Sequence, residues 1–198
     1  MKLNILHPAR ERKGDSPNFA GQPSGLDPEH TAFLREFGRV RLRAIHPEDE
    51  ERMIDFHKML SDEDVYLGYF EPLGLGSRTV HEGLAQACVN SADSHTILAE
   101  LHATASRPAR VLAVGRLATT EFPHQAAFAS LMGSAVRNTE VPRELLLRLM
   151  DVARAYRFHT LAGEFLSADQ RSLKICRDLG FKLHAVPEDD LIRVHLSL

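Results

Sequence analysis

Three closely spaced apolar segments constrain the fold of this 198-residue chain more than any other feature. Residues 96–102, 111–119 and 126–132 each have the composition of a β-strand, and the turns between them contain Pro108 and Pro123. No helical pattern separates the three segments. We therefore predict that they form an antiparallel meander within one sheet.

One strand and three helices are predicted before the meander. Residues 39–45 alternate polar and apolar side chains, which is typical of a half-buried strand. A helix is predicted to begin near Pro47, because proline suits the first helical turn and acidic residues follow it. Ser61 and Asp64 have the spacing of a capping box for a second, short helix, and a third helix is predicted over 79–88.

A long amphipathic helix follows the meander. In residues 142–156, Leu145, Leu149, Val152 and Tyr156 recur every three or four positions and mark one buried face. The remaining patterns predict a strand over 161–166, a helix over 169–179 and strands over 181–186 and 191–198. This order predicts an α/β fold built on one mixed sheet.

The first part of the chain differs from the rest. Residues 1–37 contain four of the ten prolines, and few apolar residues lie in the middle of this segment. Such a composition is typical of irregular chain rather than of packed helices and strands. We predict an irregular N-terminal arm over 1–37 and a single domain over 38–198.

Charge and cysteine usage exclude several classes of protein. With 24 basic against 27 acidic residues and a net charge of −3, the chain has no electrostatic case for binding nucleic acid or an anionic membrane. No apolar stretch approaches the roughly 20 residues that span a bilayer. Cys88 and Cys176 form no C-x-x-C pair, which favours reduced thiols in a cytoplasmic protein. The histidines are scattered without metal-ligand spacing, so no metal site is expected.

Several segments match one family in their residues and in their order. The matching stretches are 40–49 (VRLRAIHPED), 56–70, 115–116, 126–129, 146–154, 179–181 (LGF) and 187–196. Over residues 38–198 the chain resembles the acetyl-CoA-dependent N-acetyltransferases of the GNAT superfamily, above all the GNAT domain of bacterial protein-lysine acetyltransferases. The resemblance implies a GNAT-like mixed, largely antiparallel sheet flanked by helices, and acyl transfer from acetyl-CoA to a lysine or small amine. By analogy with other GNAT domains, it also suggests a homodimer.

The resemblance further implies which residues would hold the cofactor. The matching positions are Leu131, Met132 and Gly133 at the end of the fourth strand, Arg137, Asn138, Thr139 and Val141 in the phosphate loop, and Asp169 at a helix start. Two glycines of the family loop are absent here. Pro142 has no N–H to donate to a phosphate. Glu140 would place a carboxylate beside a polyanion, which costs roughly 3 kcal/mol for like charges about 5 Å apart.

Helix geometry alone explains the same loop residues. Asn138 or Thr139 suits a helix cap, Glu140 complements the helix dipole, and Pro142 suits the first helical turn. Binding of acetyl-CoA is therefore implied by the resemblance and opposed by Glu140 and Pro142, and both interpretations stay open.

The catalytic positions of the family are also changed. Ala127 stands where the protein-lysine acetyltransferases carry a glutamate that removes the proton of the amine. Glu100, Glu121 and His124 are the nearest substitutes, and a solvated side chain is the alternative for each. Cys176 stands where many family members carry a tyrosine that protonates the leaving thiolate, and a buried thiol is its alternative.

Two functions are compatible with these observations. One is an N-acyltransferase with an altered cofactor loop that acts on a lysine or small amine. The other is a catalytically inactive GNAT-fold protein that binds a ligand or a partner. Core positions still fit the family, whereas the departures fall at functional positions. The sequence does not decide between an enzyme and a binding protein.

Overall fold

A computed structural model describes residues 16–198 apart from residues 22, 24 and 105–107. Its strands are Glu29–Leu34 (β1), Gly38–Ala44 (β2), Ser94–Leu101 (β3), Arg110–Thr119 (β4), Gln125–Met132 (β5), Thr160–Leu166 (β6), Lys182–Val186 (β7) and Leu191–Ser197 (β8). Its α-helices are Glu50–Met59 (α1), Asp62–Tyr69 (α2), Leu75–Arg78 (α3), His81–Ala87 (α4), Ser134–Arg137 (α5), Val141–Ala155 (α6) and Gln170–Asp178 (α7).

The described strands form one sheet in the order β1-β2-β3-β4-β5-β6-β8-β7. Neighbouring strands run antiparallel, with the exception of β5 and β6, which run parallel. The predicted meander is β3-β4-β5 and is confirmed. The predicted fold class, an α/β fold with a mixed, largely antiparallel sheet flanked by helices, is also confirmed.

Two hydrophobic cores lie on opposite faces of the sheet. On one face, here called the α6 face, helices α6 and α7 pack over a large core that contains Phe128, Leu145 and Leu149. On the other, the α1 face, helices α1 and α2 pack over a smaller core around Phe56 and Leu131. Because successive residues of a strand point to opposite faces, β5 contributes to both cores.

Local capping follows the sequence signals. The backbone N–H of Asp64 donates to Ser61 Oγ, and the backbone N–H of Ser61 donates to Asp64 Oδ2, both at 3.1 Å. This capping box starts α2 as predicted. Asp169 caps α7 by accepting a hydrogen bond from the Ser172 backbone. The helix predicted over 79–88 corresponds to α4, and the short helix α3 that precedes it was not predicted.

The N-terminal prediction needs a correction. Residues 29–34 are not irregular, because they form β1, which pairs antiparallel with β2. In β1, Ala32 and Leu34 are buried and Phe33 is exposed, so a short alternating pattern was hidden within a proline-rich segment. Before this strand Phe19 is buried against Tyr156 and Phe158. The segment 1–15 lies outside the described residues, and the domain boundary at residue 38 stays a prediction.

Candidate functional site

The two parallel strands of the sheet separate part of the way along their length. β5 and β6 pair from Gln125 opposite Thr160 to Phe128 opposite Gly163, and no pairing follows beyond Phe128. Both strands nevertheless continue, β5 to Met132 and β6 to Leu166. A cleft therefore opens between the carboxyl ends of this parallel pair, whose connection requires a crossover such as a helix.

The cleft is narrow. It encloses two spaces of about 20 Å³ each, one lined in part by Asp64, Arg137 and Asp169, the other in part by Leu145 and Cys176. A space of this size accommodates about one water molecule. The pantetheine arm of a coenzyme A molecule is far larger than either space.

Arg137 lies at the mouth of the cleft and is bound by two carboxylates. Its Nη2 donates to Asp64 Oδ1 at 2.8 Å and to the Met132 carbonyl at 3.3 Å, and its Nη1 lies 3.6 Å from Asp169 Oδ2. The Arg137 side chain is 15% exposed, whereas the two carboxylates are almost fully buried. One guanidinium is therefore shared by two acids of the same chain.

The pKa of Asp64 shows that its charge is compensated. Burial alone would raise this pKa, but hydrogen bonds from Arg137 and Ser61 hold it below the ordinary value of an aspartate. Asp64 is therefore ionised at neutral pH and forms a stable counter-ion for the guanidinium.

Four N–H groups of the predicted phosphate loop form hydrogen bonds within the chain. The N–H groups of Arg137 and Thr139 donate to the carbonyls of Gly133 and Val136, and the Val141 N–H donates to Thr139 Oγ1. The N–H of Asn138 donates to the Val136 carbonyl as well. These groups form a tight turn between α5 and α6 and are not directed at a ligand.

The remaining predicted cofactor residues have structural roles here. Leu131 belongs to the core on the α1 face, and Gly133 caps α5 and accepts hydrogen bonds from its first turn. Glu140 is exposed at the start of α6, and Pro142 is buried in its first turn, as helix geometry predicted. The structure thus brings Leu131, Met132, Arg137 and Asp169 together in the lining of the cleft, whereas Gly133, Asn138, Thr139 and Val141 lie along the adjoining α5–α6 segment.

The residues of the cleft do not fit the pyrophosphate of acetyl-CoA. Such a group needs open backbone donors and unpaired positive charge. Here four loop N–H groups donate within their own chain, and Arg137 is paired with Asp64 and Asp169. Pro142 removes one further donor.

A much larger cavity lies on the α1 face, over strands β5, β6, β7 and β8. This open-face cavity has a volume of about 640 Å³. Its floor includes the small residues Ala127, Ala162 and Gly163, and polar side chains surround that floor. The polar lining consists of Thr120, Glu121, Gln125, Glu164, His184, Arg193 and His195. The volume is within the range of roughly 300–1,000 Å³ that is typical of sites for small ligands.

The structure separates the predicted catalytic residues. Glu121 is exposed and lines the open-face cavity. His124 lies in the same loop, but its ring stacks on His159 with centroids 4.5 Å apart. Cys176 is fully buried, and burial raises the pKa of its thiol to about 12, which makes it a poor proton donor to a thiolate. Glu100 is completely buried among arginines and lies away from both cavities.

Glu164 is a further acid at the site, and no pattern in the sequence indicated it. It lines both the cleft and the open-face cavity, and its Oε1 accepts a hydrogen bond of 2.8 Å from Arg193 Nε. Ala127, where the family has its glutamate, pairs with Ala162 in the neighbouring strand, and Glu164 follows two positions later on the same face. The pairing of β5 with β6 is the signal that would have identified it.

Two further findings concern absent features. Within residues 16–198, outside the gaps named above, no group of three or more histidines, cysteines or acids is arranged to hold a metal ion. Among the same residues, no helix has the length and apolar character needed to cross a bilayer.

The sequence and the fold were compared with those of known proteins. No model of a known protein family matches the sequence. The chain is similar to the GNAT domain of S. lividans PAT, with 25% identity, a TM-score of 0.73, and 86% of this chain and 97% of that chain covered. It is also similar to the ribosomal-protein-S5-alanine acetyltransferase of Vibrio fischeri, with 14% identity, a TM-score of 0.66, and 84% and 97% covered. A probable acetyltransferase from Staphylococcus epidermidis is 15% identical, with a TM-score of 0.59 and 80% and 98% covered.

The fold and the separating parallel strands therefore define a GNAT-fold protein, and the resemblance seen in the sequence is confirmed. The similarity includes the GNAT domain of a bacterial PAT protein as well as several acetyltransferases. The GNAT fold of these acetyltransferases supports acyl transfer in general.

Proposed function

We propose that this chain is a GNAT-fold binding module that holds an amine-bearing ligand in the open-face cavity and does not catalyse acetyl-CoA-dependent transfer. The observation that carries the proposal is the state of Arg137, which is paired with Asp64 and Asp169 in a cleft of about 20 Å³. A site closed in this way gives a polyanionic cofactor neither space nor positive charge.

The open-face cavity supports the positive part of the proposal. It is about thirty times larger than either space in the cleft, since the volumes are about 640 and 20 Å³. The carboxylates of Glu121 and of Glu164, which Arg193 also binds, line it, and a protonated amine pairs well with carboxylates. The occupant we infer is a small amine, or a lysine side chain of a partner protein, in the cytoplasm.

A second candidate function is amine acyltransfer, and the position of Glu164 favours it. Glu164 lies between the cleft and the open-face cavity, where a carboxylate could remove the proton of an amine. Under this alternative Glu164 would take the role of the family glutamate, whose position is occupied here by Ala127. Glu121 and His124 are more exposed and less well placed for that role.

Calorimetry with acetyl-CoA separates the two candidates. We expect no saturable binding to the purified chain at millimolar cofactor, because Arg137 is already paired and the cleft is closed. Binding in the low micromolar range would contradict the proposed function and favour the acyltransferase.

The open-face cavity is tested with a matched pair of ligands. Nα-acetyl-lysine has a free side-chain amine, whereas Nα,Nε-diacetyl-lysine has none. We therefore expect only Nα-acetyl-lysine to shift the resonances of the cavity-lining residues in an NMR titration. Ala162→Phe fills the floor of the cavity and is expected to abolish the shifts. Ala185→Phe is the control, since residue 185 is exposed on β7 next to the cavity residue His184 but points to the opposite face. Equal binding of both ligands, or binding retained in Ala162→Phe, would contradict an amine site here.

A further inference from the structure

We propose that Asp64 and Asp169 act as an internal counter-anion which occupies Arg137 in place of a phosphate, and that these two acids exclude phosphate-bearing ligands from the cleft. The inference rests on the proposed function, because it explains how the chain keeps a GNAT fold without accepting the cofactor. The two aspartates would then determine which ligands the cleft accepts, in addition to capping their helices.

The geometry places the two acids on opposite sides of the cleft. Asp64 lies in the first turn of α2, which packs on the α1 side of β5, and Asp169 lies at the start of α7, directly after β6. Arg137 follows β5 and reaches both of them. The ion pairs therefore connect the two halves of the sheet at the point where β5 and β6 have separated.

The local charge is unfavourable for an anion. Arg137 contributes one positive charge, and Asp64 and Asp169 contribute two negative charges, with carboxylate oxygens 2.8 and 3.6 Å from the guanidinium nitrogens. Both carboxylates are nearly buried, at 3% and 6% exposure, so solvent screens them poorly. A pyrophosphate would have to displace them from Arg137 and then remain beside them.

A purely structural role for the acids makes a different prediction from exclusion of anions. Asp64 caps α2 through Ser61, and Asp169 caps α7 through the Ser172 backbone. Asparagine caps helices about as well as aspartate, but it carries no charge. Asp169→Asn therefore preserves the N-cap of α7, and Asp64→Asn keeps a side-chain oxygen that can accept from the Ser61 N–H, while both variants remove a charge of the counter-anion.

The test measures anion binding by calorimetry, with inorganic pyrophosphate and coenzyme A as probes. We expect the double variant Asp64→Asn/Asp169→Asn to bind pyrophosphate at least tenfold more tightly than the wild type, with an affinity that falls as salt rises. Each single variant should gain part of this affinity. Adding Arg137→Gln to the double variant should abolish the gain. Asp62→Asn, an exposed acid in the same turn of α2, is the matched control and should gain nothing.

The outcomes distinguish the two proposals. If the folded double variant, checked by its circular dichroism melt, binds pyrophosphate no better than Asp62→Asn, the counter-anion inference is wrong and the proposed function stands. If the double variant does not fold, the single variants decide by the same criterion. If the wild type already binds coenzyme A in the low micromolar range through Arg137, the inference and the proposed function both fail.

Discussion

Replacing Glu100 by Gln is expected to lower the free energy of unfolding by about 3–5 kcal/mol, the range typical of breaking a buried ion pair. Glu100 is completely buried, and its carboxylate accepts hydrogen bonds from Arg41 Nε at 2.7 Å, Arg43 Nε at 3.1 Å and Arg43 Nη2 at 3.0 Å. Glutamine has nearly the same shape, so the loss would report the missing charge and not a cavity.

The arginine that remains explains the size of this effect. Arg43 is 6% exposed and also forms two hydrogen bonds of 2.7 Å to Asp49. Burial by itself would raise the pKa of Asp49, whereas the bonds from Arg43 and His46 hold it below its ordinary value. Without Glu100, Arg41 and Arg43 together carry two positive charges against the one negative charge of Asp49.

Urea denaturation of wild type and Glu100→Gln measures the loss. Glu51→Gln is the control, because Glu51 is exposed on α1 and its replacement should change stability by less than about 0.5 kcal/mol. A loss below about 1 kcal/mol for Glu100→Gln would place this ion pair in the range of weak surface pairs, in conflict with its burial.

The sequence predicted most of the fold because its signals are local. Strand alternation, the stripe on α6 that includes Leu145 and Leu149, and the Ser61 capping box each depend on residues a few positions apart. Such patterns report the face that an element buries. β1 was missed because only Ala32 and Leu34 mark its buried face, and a strand this short gains its stability from pairing with β2.

The candidate site was harder to predict because its contacts are long-range. Arg137 and Asp64 are 73 positions apart, and each has a sufficient local explanation, as a loop cation and a helix cap. Nothing in either neighbourhood indicates that they meet. Glu164 was overlooked for a similar reason, since its place between two cavities follows from the parallel pairing of β5 with β6. The absence of the two glycines of the family's phosphate loop, by contrast, is visible in the sequence itself.

Replacing Phe128 by Ala is expected to lower the free energy of unfolding by about 3–5 kcal/mol, the range for Phe-to-Ala changes in cores. Phe128 is 3% exposed, and its ring lies 5.9 Å from that of Phe165 and 5.7 Å from that of Phe181, measured between centroids. It also packs on Gly163, where an added Cβ would come within 2.6 Å of the ring. The ring therefore fills the space between two separating strands.

The same substitution has a consequence for the site, because Phe128 lines both the narrow cleft and the open-face cavity. Removing the ring joins the two spaces, so we expect Nα-acetyl-lysine to bind more weakly even at temperatures where the variant is folded. Thermal melts and the NMR titration measure the two effects separately. Phe122→Ala is the control for stability, since Phe122 is 59% exposed at the edge of the open-face cavity and contributes little to the core. If Phe128→Ala lost stability but bound the amine unchanged, the ring would be a core residue alone, and the wall between the two cavities would have to be formed by the backbone of β5 and β6.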